Sequence, residues 1–204
     1  MKIGICSALA NNIDLSIDYI GVDRGVEVLL AHNKTPIYAI GDFDSINNPD
    51  VLNQIEVTRL PTRKDVTDTH AAVEYAIEQG YDEIDIYGVT GGRLDHFFSA
   101  VCLLEKYANL KIRIIDDQNI IQLLLPGRHL VNKDQYKYFS LFALDKSYLD
   151  ITGAHYPLNH YLLYRYDPLC VSNQVKDDQA VITTTDKIIL VKSNDIKLFK
   201  DLDN

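Results

Sequence analysis

The sequence lacks the patterns of the commonest nucleotide-binding loops and of membrane segments. It has no GxxxxGK[ST] segment and no GxGxxG turn after its first apolar stretch, which disfavours a Walker-type site and a Rossmann dinucleotide site. No apolar run approaches the roughly 18 residues that a membrane span requires. The short apolar N-terminal stretch is interrupted by Gly4 and Ser7, which favours a first β-strand over a signal peptide. We therefore expect a cytoplasmic protein with no membrane partner.

Cysteine and basic residues are also scarce. The three cysteines, Cys6, Cys102 and Cys170, form no CxxC pair, so neither a disulfide framework nor a zinc site is indicated. We expect reduced thiols packed in apolar surroundings. Lys and Arg number 20 against 29 Asp and Glu, a formal net charge of −9, which argues against a nucleic-acid partner. A nucleotide remains possible, because Mg²⁺ can bridge carboxylates to phosphates.

The first part of the chain alternates between apolar, strand-like segments and helical patterns. Helices are predicted over 24–33, 69–79 and 94–107, and Asp65, Thr67 or Asp68 is a candidate cap for the second. The predicted strands are 2–6, 17–22, 36–40, 55–60, a stretch beginning at Ile84, and 111–115. This alternation predicts a parallel sheet with helices on both faces.

The second part of the chain has a different character. From about Pro126 the long helical patterns stop, and short β-rich segments separated by turn residues replace them. Such segments predict an antiparallel sandwich or barrel. The predicted fold class is α/β: an N-terminal parallel-sheet α/β domain over 1–125, followed by a C-terminal antiparallel β-sandwich domain over 126–204.

Acidic residues follow several of the predicted strands. They lie in or near three stretches, GDFDS at 41–45, KDVTD at 64–68 and IDIYGVTGGRLDH at 84–96. The acids concerned are Asp23, Asp42, Asp44, Asp68 and Asp95. Ligands of doubly wound sheets bind at the carboxyl ends of the strands, where this many like charges need a cation such as Mg²⁺. If the backbone of Asp42-Phe43-Asp44 is extended, both acids point the same way and Phe43 faces the core.

The turn at Gly91-Gly92 precedes a predicted helix start, which suits a phosphate. Lys64 and Arg93 lie beside the acidic stretches and are predicted phosphate contacts. The competing interpretation is structural: a single Asp after a strand is more often a turn or cap residue.

The order of GDFDS, KDVTDTHAA and GVTGGRLDH resembles the thiamine pyrophosphokinases of the bacterial type. FSLFAL, LDITGAHYPL and VSNQV further along resemble that family's C-terminal domain. The resemblance implies an α/β domain followed by a β-sandwich, assembled as a homodimer. It also implies transfer of the pyrophosphoryl group of ATP to the hydroxyl of thiamine, giving thiamine diphosphate and AMP, with Mg²⁺ as the metal.

The resemblance also implies roles for individual residues. The metal ligands are Asp23, Asp42, Asp44 and Asp68, and the catalytic residues are Asp44, Asp68 and Asp95. The ATP contacts are Lys64, Gly91, Gly92, Arg93, Asp95 and His96. The thiamine contacts are Ser172 and Asn173, with His155 and Tyr156 lining or flanking the pocket. Either Asp68 or Asp95 accepts the proton of the hydroxyl.

Two features depart from the family pattern. Arg24 stands where the family usually has a glycine, and the chain has no tryptophan, so thiamine must stack on Tyr, His or an aliphatic surface.

Two other functions are weighed against this one. A nucleotide-sugar transferase would explain the DxD spacing at 42–44 but not KDVTD or GGRLDH. A non-catalytic thiamine sensor would bind its ligand without turnover.

Overall fold

The computed structural model describes residues 1–61 and 65–195, so Lys64 lies outside the described residues. The chain divides into two compact units, Met1–Asp117 and Gln118–Asn204. The sequence predicts the boundary near residue 125; the division lies earlier because the segment 119–124 is a strand whose partner belongs to the second unit. Within the described residues, no helix is long and apolar enough to cross a membrane.

The first unit alternates strands with helices, as predicted. Its strands are β1 Lys2–Cys6, β2 Tyr19–Val22, β3 Tyr38–Gly41, β4 Val57–Arg59, β5 Glu83–Tyr87 and β6 Lys111–Ile115. Its α-helices are α1 Gly25–Ala31, α2 Asp68–Glu78 and α3 Leu94–Lys106, and a short 3₁₀ helix spans Pro49–Gln54. The 3₁₀ helix is absent from the predictions.

The strands of this unit form a parallel sheet in the order β4-β3-β2-β1-β5-β6. From β1 the chain continues to β2 on one side, whereas β5 leads through α3 to β6 on the other side. The connections of the neighbouring strands β1 and β5 therefore diverge, and a crevice at the carboxyl ends of such strands is where doubly wound sheets bind ligands.

Helices pack on the sheet because its central strands are apolar on both faces. All residues of β2 and β3 are buried, as are Ile3, Ile5, Ile84 and Ile86 of the two central strands. Helix α2 contacts β1, β2 and β3, and α3 contacts β6 and α2. This packing fixes where each helix begins, and hence where the acids at the helix starts lie.

The second unit is an antiparallel β-structure, as predicted. Its strands are β7 Asn119–Leu124, β8 Gly127–Asn132, β9 Tyr138–Ala143, β10 Lys146–Thr152, β11 Leu158–Tyr164, β12 Gln179–Thr184 and β13 Ile188–Ser193. Strand β13 pairs with β7 and β9, and a four-stranded sheet has the order β11-β10-β12-β8. Phe139, Leu141 and Leu190 from the first group pack in one core with Leu149 and Ile182 from the four-stranded sheet. The unit is thus a sandwich.

The cysteines only partly meet the prediction. Cys6 and Cys170 are buried free thiols, and burial raises the pKa of Cys6 to about 12 and that of Cys170 to about 11. Cys102 is free but exposed, so the expectation that it packs in the core is wrong.

Candidate active site

The acids singled out from the sequence lie beyond the carboxyl ends of the parallel strands. Asp23 directly follows β2, and Asp42 and Asp44 follow β3. Asp68 is the first residue of α2, which comes after β4, and Asp95 lies in the first turn of α3, which comes after β5. In a parallel sheet these ends share one edge, so the topology brings the predicted residues to the same side of the unit.

Asp23 is built into the loop that follows β3. Its backbone is left-handed, with φ of 48°, and its N–H donates to the carbonyl of Ile40 at 3.1 Å. Its Oδ1 accepts the N–H of Phe43 at 3.2 Å. A Cβ placed on Gly41 would lie 1.9 Å from the same oxygen. The Asp23 carboxylate therefore occupies space that only a glycine at 41 leaves open.

The segment Asp42-Phe43-Asp44 is not extended. The condition under which both acids would point the same way is therefore not met. Phe43 has φ of 57°, yet its ring is buried as predicted and packs with Val26, Ala39 and Leu52. The Asp44 N–H donates to Asp42 Oδ1 at 3.2 Å. Asp42 is half-buried and Asp44 is exposed.

Glu27 organises the far end of this loop, a role that the sequence analysis missed. Its Oε1 accepts the N–H groups of Asn47 at 2.8 Å and Asn48 at 3.0 Å, and its Oε2 accepts the Asn47 amide at 3.0 Å. Burial acts to raise the pKa of Glu27, but the donors from Asn48, Asn47 and Arg24 together lower it. The only sequence clue is that Glu27 follows Asp23 by one helical turn.

Asp68 is positioned by a capped helix. The hydroxyl of Thr67 accepts the N–H of His70 at 3.2 Å, so Thr67 is the cap among the candidates. The hydroxyls of Ser7 and Thr69 lie 3.4 Å apart. The first turn of α2 therefore sits beside the end of β1, at the point where the connections of the sheet diverge.

The turn after β5 is open at Gly91. Gly91 has φ of 81°, and a Cβ there would meet no atom within 4 Å. The side chain of Arg93 donates to both oxygens of Asp95, at 3.1 and 2.6 Å, and both side chains are largely exposed. The hydrogen bond from Arg93 holds the pKa of Asp95 below its usual range. His96 is exposed, and its N–H donates to Asp95 at 3.0 Å.

The donor chemistry of this edge suits a hard cation, because the side chains offer carboxylate oxygens. Within residues 1–61 and 65–195, no three His, Cys, Asp or Glu side chains are grouped closely enough to hold a metal ion by themselves. Mg²⁺ is commonly bound by one or two carboxylates together with substrate phosphates and water. The residues therefore fit a metal that arrives with a nucleotide.

Two of the four predicted thiamine contacts, Tyr156 and Asn173, line a pocket of about 250 Å³ in the second unit. The other lining residues are Ile151, Leu158, Leu169, Cys170 and Val171.

Asn173 is buried, and its side chain accepts the N–H of Tyr156 at 3.0 Å and donates to the Tyr156 carbonyl at 2.8 Å. Asn173 thus fixes the backbone at Tyr156, whose side chain is exposed. Ser172 and His155 are exposed neighbours, and Ser172 has φ of 60°.

Comparisons with known proteins give a consistent result. The protein-family model for the thiamin pyrophosphokinase catalytic domain matches residues 9–115. The family model for the thiamin pyrophosphokinase vitamin B1 binding domain matches residues 128–189. A thiamine pyrophosphokinase of Bacillus subtilis is 38% identical over 188 residues, which is 87% of each chain.

Two solved structures are also similar. The crystal structure of the thiamine pyrophosphokinase from Bacillus subtilis has a TM-score of 0.86 and 32% identity, covering 96% of this chain and 100% of that one. A thiamin pyrophosphokinase from Geobacillus thermodenitrificans has a TM-score of 0.85 and 33% identity, covering 97% and 99%.

Proposed function

The chain belongs to the thiamin pyrophosphokinase family, and from that premise we propose how its residues perform the reaction. The enzyme transfers the pyrophosphoryl group of ATP to thiamine, giving thiamine diphosphate and AMP. Phosphoryl transfer asks little covalent chemistry of a protein; positioning and charge neutralisation dominate. The contributions of this chain are therefore to hold the triphosphate, to orient the thiamine hydroxyl and to accept its proton.

The metal in this proposal is Mg²⁺, held by Asp42, Asp44 and Asp68 with Asp23 beside them. It would neutralise phosphate charge as the pyrophosphoryl group transfers. The observation that carries the proposal is the contact between Asp23 Oδ1 and the Phe43 N–H, together with the lack of space for a side chain on Gly41. This contact joins the acids that follow two neighbouring strands into one structural unit.

The phosphate contacts in this proposal are on the open turn after β5. Arg93 and the N–H groups of Gly91 and Gly92 would face the phosphates, with His96 as a neighbour. Lys64 completes the set as a prediction from the sequence. Because Arg93 is exposed and bound to a carboxylate that is also exposed, it can exchange that partner for a phosphate at little cost.

Of the two acids that the sequence analysis left as proton acceptors, we assign the role to Asp68. Both oxygens of Asp95 accept hydrogen bonds from Arg93, which gives Asp95 the role of holding Arg93 in place until the nucleotide binds. Asp68 begins a capped helix beside the end of β1, where the sheet topology places the ligand crevice.

The thiamine site in this proposal is the pocket of the second unit, with Tyr156 supplying the aromatic surface in a chain that has no tryptophan. Ser172, Asn173 and His155 would complete it. A homodimer would cover large exposed apolar side chains, including Leu94, Phe98 and Leu169. The net charge of −9 disfavours nucleic acid, and we place the enzyme in the cytoplasm.

The decisive experiment measures AMP formation by the purified protein from ATP and Mg²⁺, with and without thiamine, and identifies the second product. Thiamine-dependent AMP with thiamine diphosphate as co-product is the expected result. Thiamine binding without turnover, tested also with other divalent metals and nucleoside triphosphates, would instead identify a sensor. Glycosyl transfer from a nucleotide sugar would identify the transferase alternative.

A further inference from the structure

The loop that follows β3 is attached to the rest of its unit at both ends. At its start, the buried Phe43 ring and the Asp23 carboxylate hold residue 43. At its end, Glu27 accepts the N–H groups of Asn47 and Asn48. Asn48 then caps the 3₁₀ helix, since its side chain accepts the N–H of Asp50 at 3.2 Å. Asp44 lies between the two attachments.

The Glu27 carboxylate is fully engaged in this contact. An ionised carboxylate offers about four acceptor positions. Two backbone N–H groups share Oε1, while the Asn47 amide at 3.0 Å and the Arg24 Nε at 3.5 Å approach Oε2. The Glu27 side chain is 20% exposed, so these donors replace most of its water. Glu27 is therefore engaged with donors of the chain itself, although it lies one helical turn from Asp23.

Arg24, the departure from the family pattern, belongs to the same contact. It precedes α1, and its Nε lies 3.5 Å from Glu27 Oε2. Charge-assisted hydrogen bonds to backbone N–H groups are among the stronger ones in proteins. The attachment consequently restricts how far the loop can move before any ligand binds.

We propose that Glu27 is a positioning residue, which holds the loop of residues 42–48 so that Asp42 and Asp44 are ready to bind the metal. The inference rests on the proposed metal site. It assigns no metal ligation and no proton transfer to Glu27. Its effect is to reduce the ordering that the loop must undergo when the metal and nucleotide bind, since unordered backbone is costly to fix.

The first test needs neither metal nor activity. Hydrogen–deuterium exchange is measured on peptides covering residues 43–54 of the metal-free protein. Glu27→Ala should raise exchange at Asn47 and Asn48 by about tenfold or more, because both amides lose their acceptor. Glu27→Gln keeps one oxygen as an acceptor for both amides but loses the charge and the second oxygen, so its increase in exchange should be smaller than that of Glu27→Ala. Glu78→Ala, an exposed acid at the end of α2, is the matched control.

The second test titrates Mg²⁺ in the AMP assay. Glu27→Ala should require about tenfold more metal for half-maximal rate, with the KM for thiamine changed less than about twofold. Glu27→Gln should give a metal requirement between those of wild type and Glu27→Ala. If Glu27 only stabilised the fold, its removal would not raise the metal requirement while leaving the KM for thiamine nearly unchanged.

Unchanged exchange in Glu27→Ala would overturn the inference, and so would faster exchange with an unaltered metal requirement. If Glu27→Ala does not fold, Asn47→Ala removes one donor to Glu27 and should give smaller effects of the same sign; no effect there overturns the inference. If wild type forms no thiamine-dependent AMP, the proposed function fails, whereas the exchange result still reports whether Glu27 holds the loop.

Discussion

The loop after β3 and the turn after β5 bring acids to the same edge of the sheet, but they are built in opposite ways. In the first, Phe43 is buried, Asp23 and Glu27 bind backbone N–H groups, and Gly41 leaves no room for a side chain. In the second, Gly91 faces open space and the Arg93–Asp95 pair is exposed. Metal ligation demands fixed oxygens, whereas binding and releasing a polyphosphate requires partners that can exchange. The contrast therefore matches the proposed division between metal side and phosphate side.

The largest effect is expected for Asp44, the exposed acid of the loop after β3. Asp44→Asn should reduce turnover by about a thousandfold, since a metal site supplies several kcal/mol of charge stabilisation. The fold should remain intact because Asp44 is exposed. Steady-state AMP formation and a melting curve check both statements. Asp50→Asn, an exposed acid just beyond the same loop, is the control; equal losses in both variants would contradict the assignment.

A pair of glycine substitutions compares the two regions directly. Gly41→Ala forces an atom to within 1.9 Å of Asp23 Oδ1 and should cut turnover by about a hundredfold, as expected for catalytic groups displaced by about 1 Å. Gly91→Ala meets no atom, so its cost is limited to about 1–2 kcal/mol of backbone strain at positive φ. Its turnover should fall far less. Similar turnover losses in the two variants would show that the two regions are equally constrained.

The difference between the regions also explains what the sequence could predict. Strands β1 and β6 match the predicted residues, and helices α2 and α3 begin and end within one residue of the predicted bounds. These elements were predictable because the periodicity of apolar residues and the glycine or capping residues at helix ends are local features of the sequence. Strand β7 was missed, since NIIQLL shows no strict alternation of apolar and polar residues. Its partner β13 lies far along the chain, so local sequence patterns do not reveal the pairing.

In the site, the identities of the acids were predictable because they follow apolar strands. The arrangement of the loop was not predictable, because it depends on contacts across the unit. Phe43 adopts φ of 57° while its ring packs against Val26 and Leu52. Glu27 binds main-chain N–H groups of Asn47 and Asn48, and a main-chain N–H is present whatever the residue type.

Substitutions in the turn after β5 should have weaker effects than those in the loop after β3. Arg93→Gln should raise the KM for ATP by about tenfold, the loss of one hydrogen bond to a charged group. It should also raise the pKa of Asp95, because the bond from Arg93 is the main cause of its depression. A carboxyl with a lowered folded pKa contributes stability above its unfolded pKa, and that stability is lost as pH falls through the folded value.

An NMR titration of the Asp95 carboxyl in wild type and Arg93→Gln measures this shift. The midpoint should be lower in wild type. The stability gap between the two proteins should be largest above the unfolded pKa of the carboxyl and should close as pH falls through the folded value of wild type. The stability difference should be small, because the pair is exposed and exposed ion pairs contribute little. Identical midpoints would mean that the pair seen here does not persist in solution.

The smallest effect is expected at helix α2, which carries Asp68. This helix is intermediate between the fixed loop and the open turn in how firmly it is held. Thr67→Ala removes the acceptor for the His70 N–H at 3.2 Å and should cost about 1 kcal/mol of unfolding free energy, or a melting-temperature decrease of about 2–4 °C. Thr67→Ser retains the hydroxyl and should stay near wild type. If the cap also fixes Asp68 for proton acceptance, turnover in Thr67→Ala should fall by a few-fold with the KM for ATP unchanged. A loss of stability without this loss of turnover would show that packing of α2 against the sheet positions Asp68 unaided, placing this helix with the fixed loop rather than with the open turn.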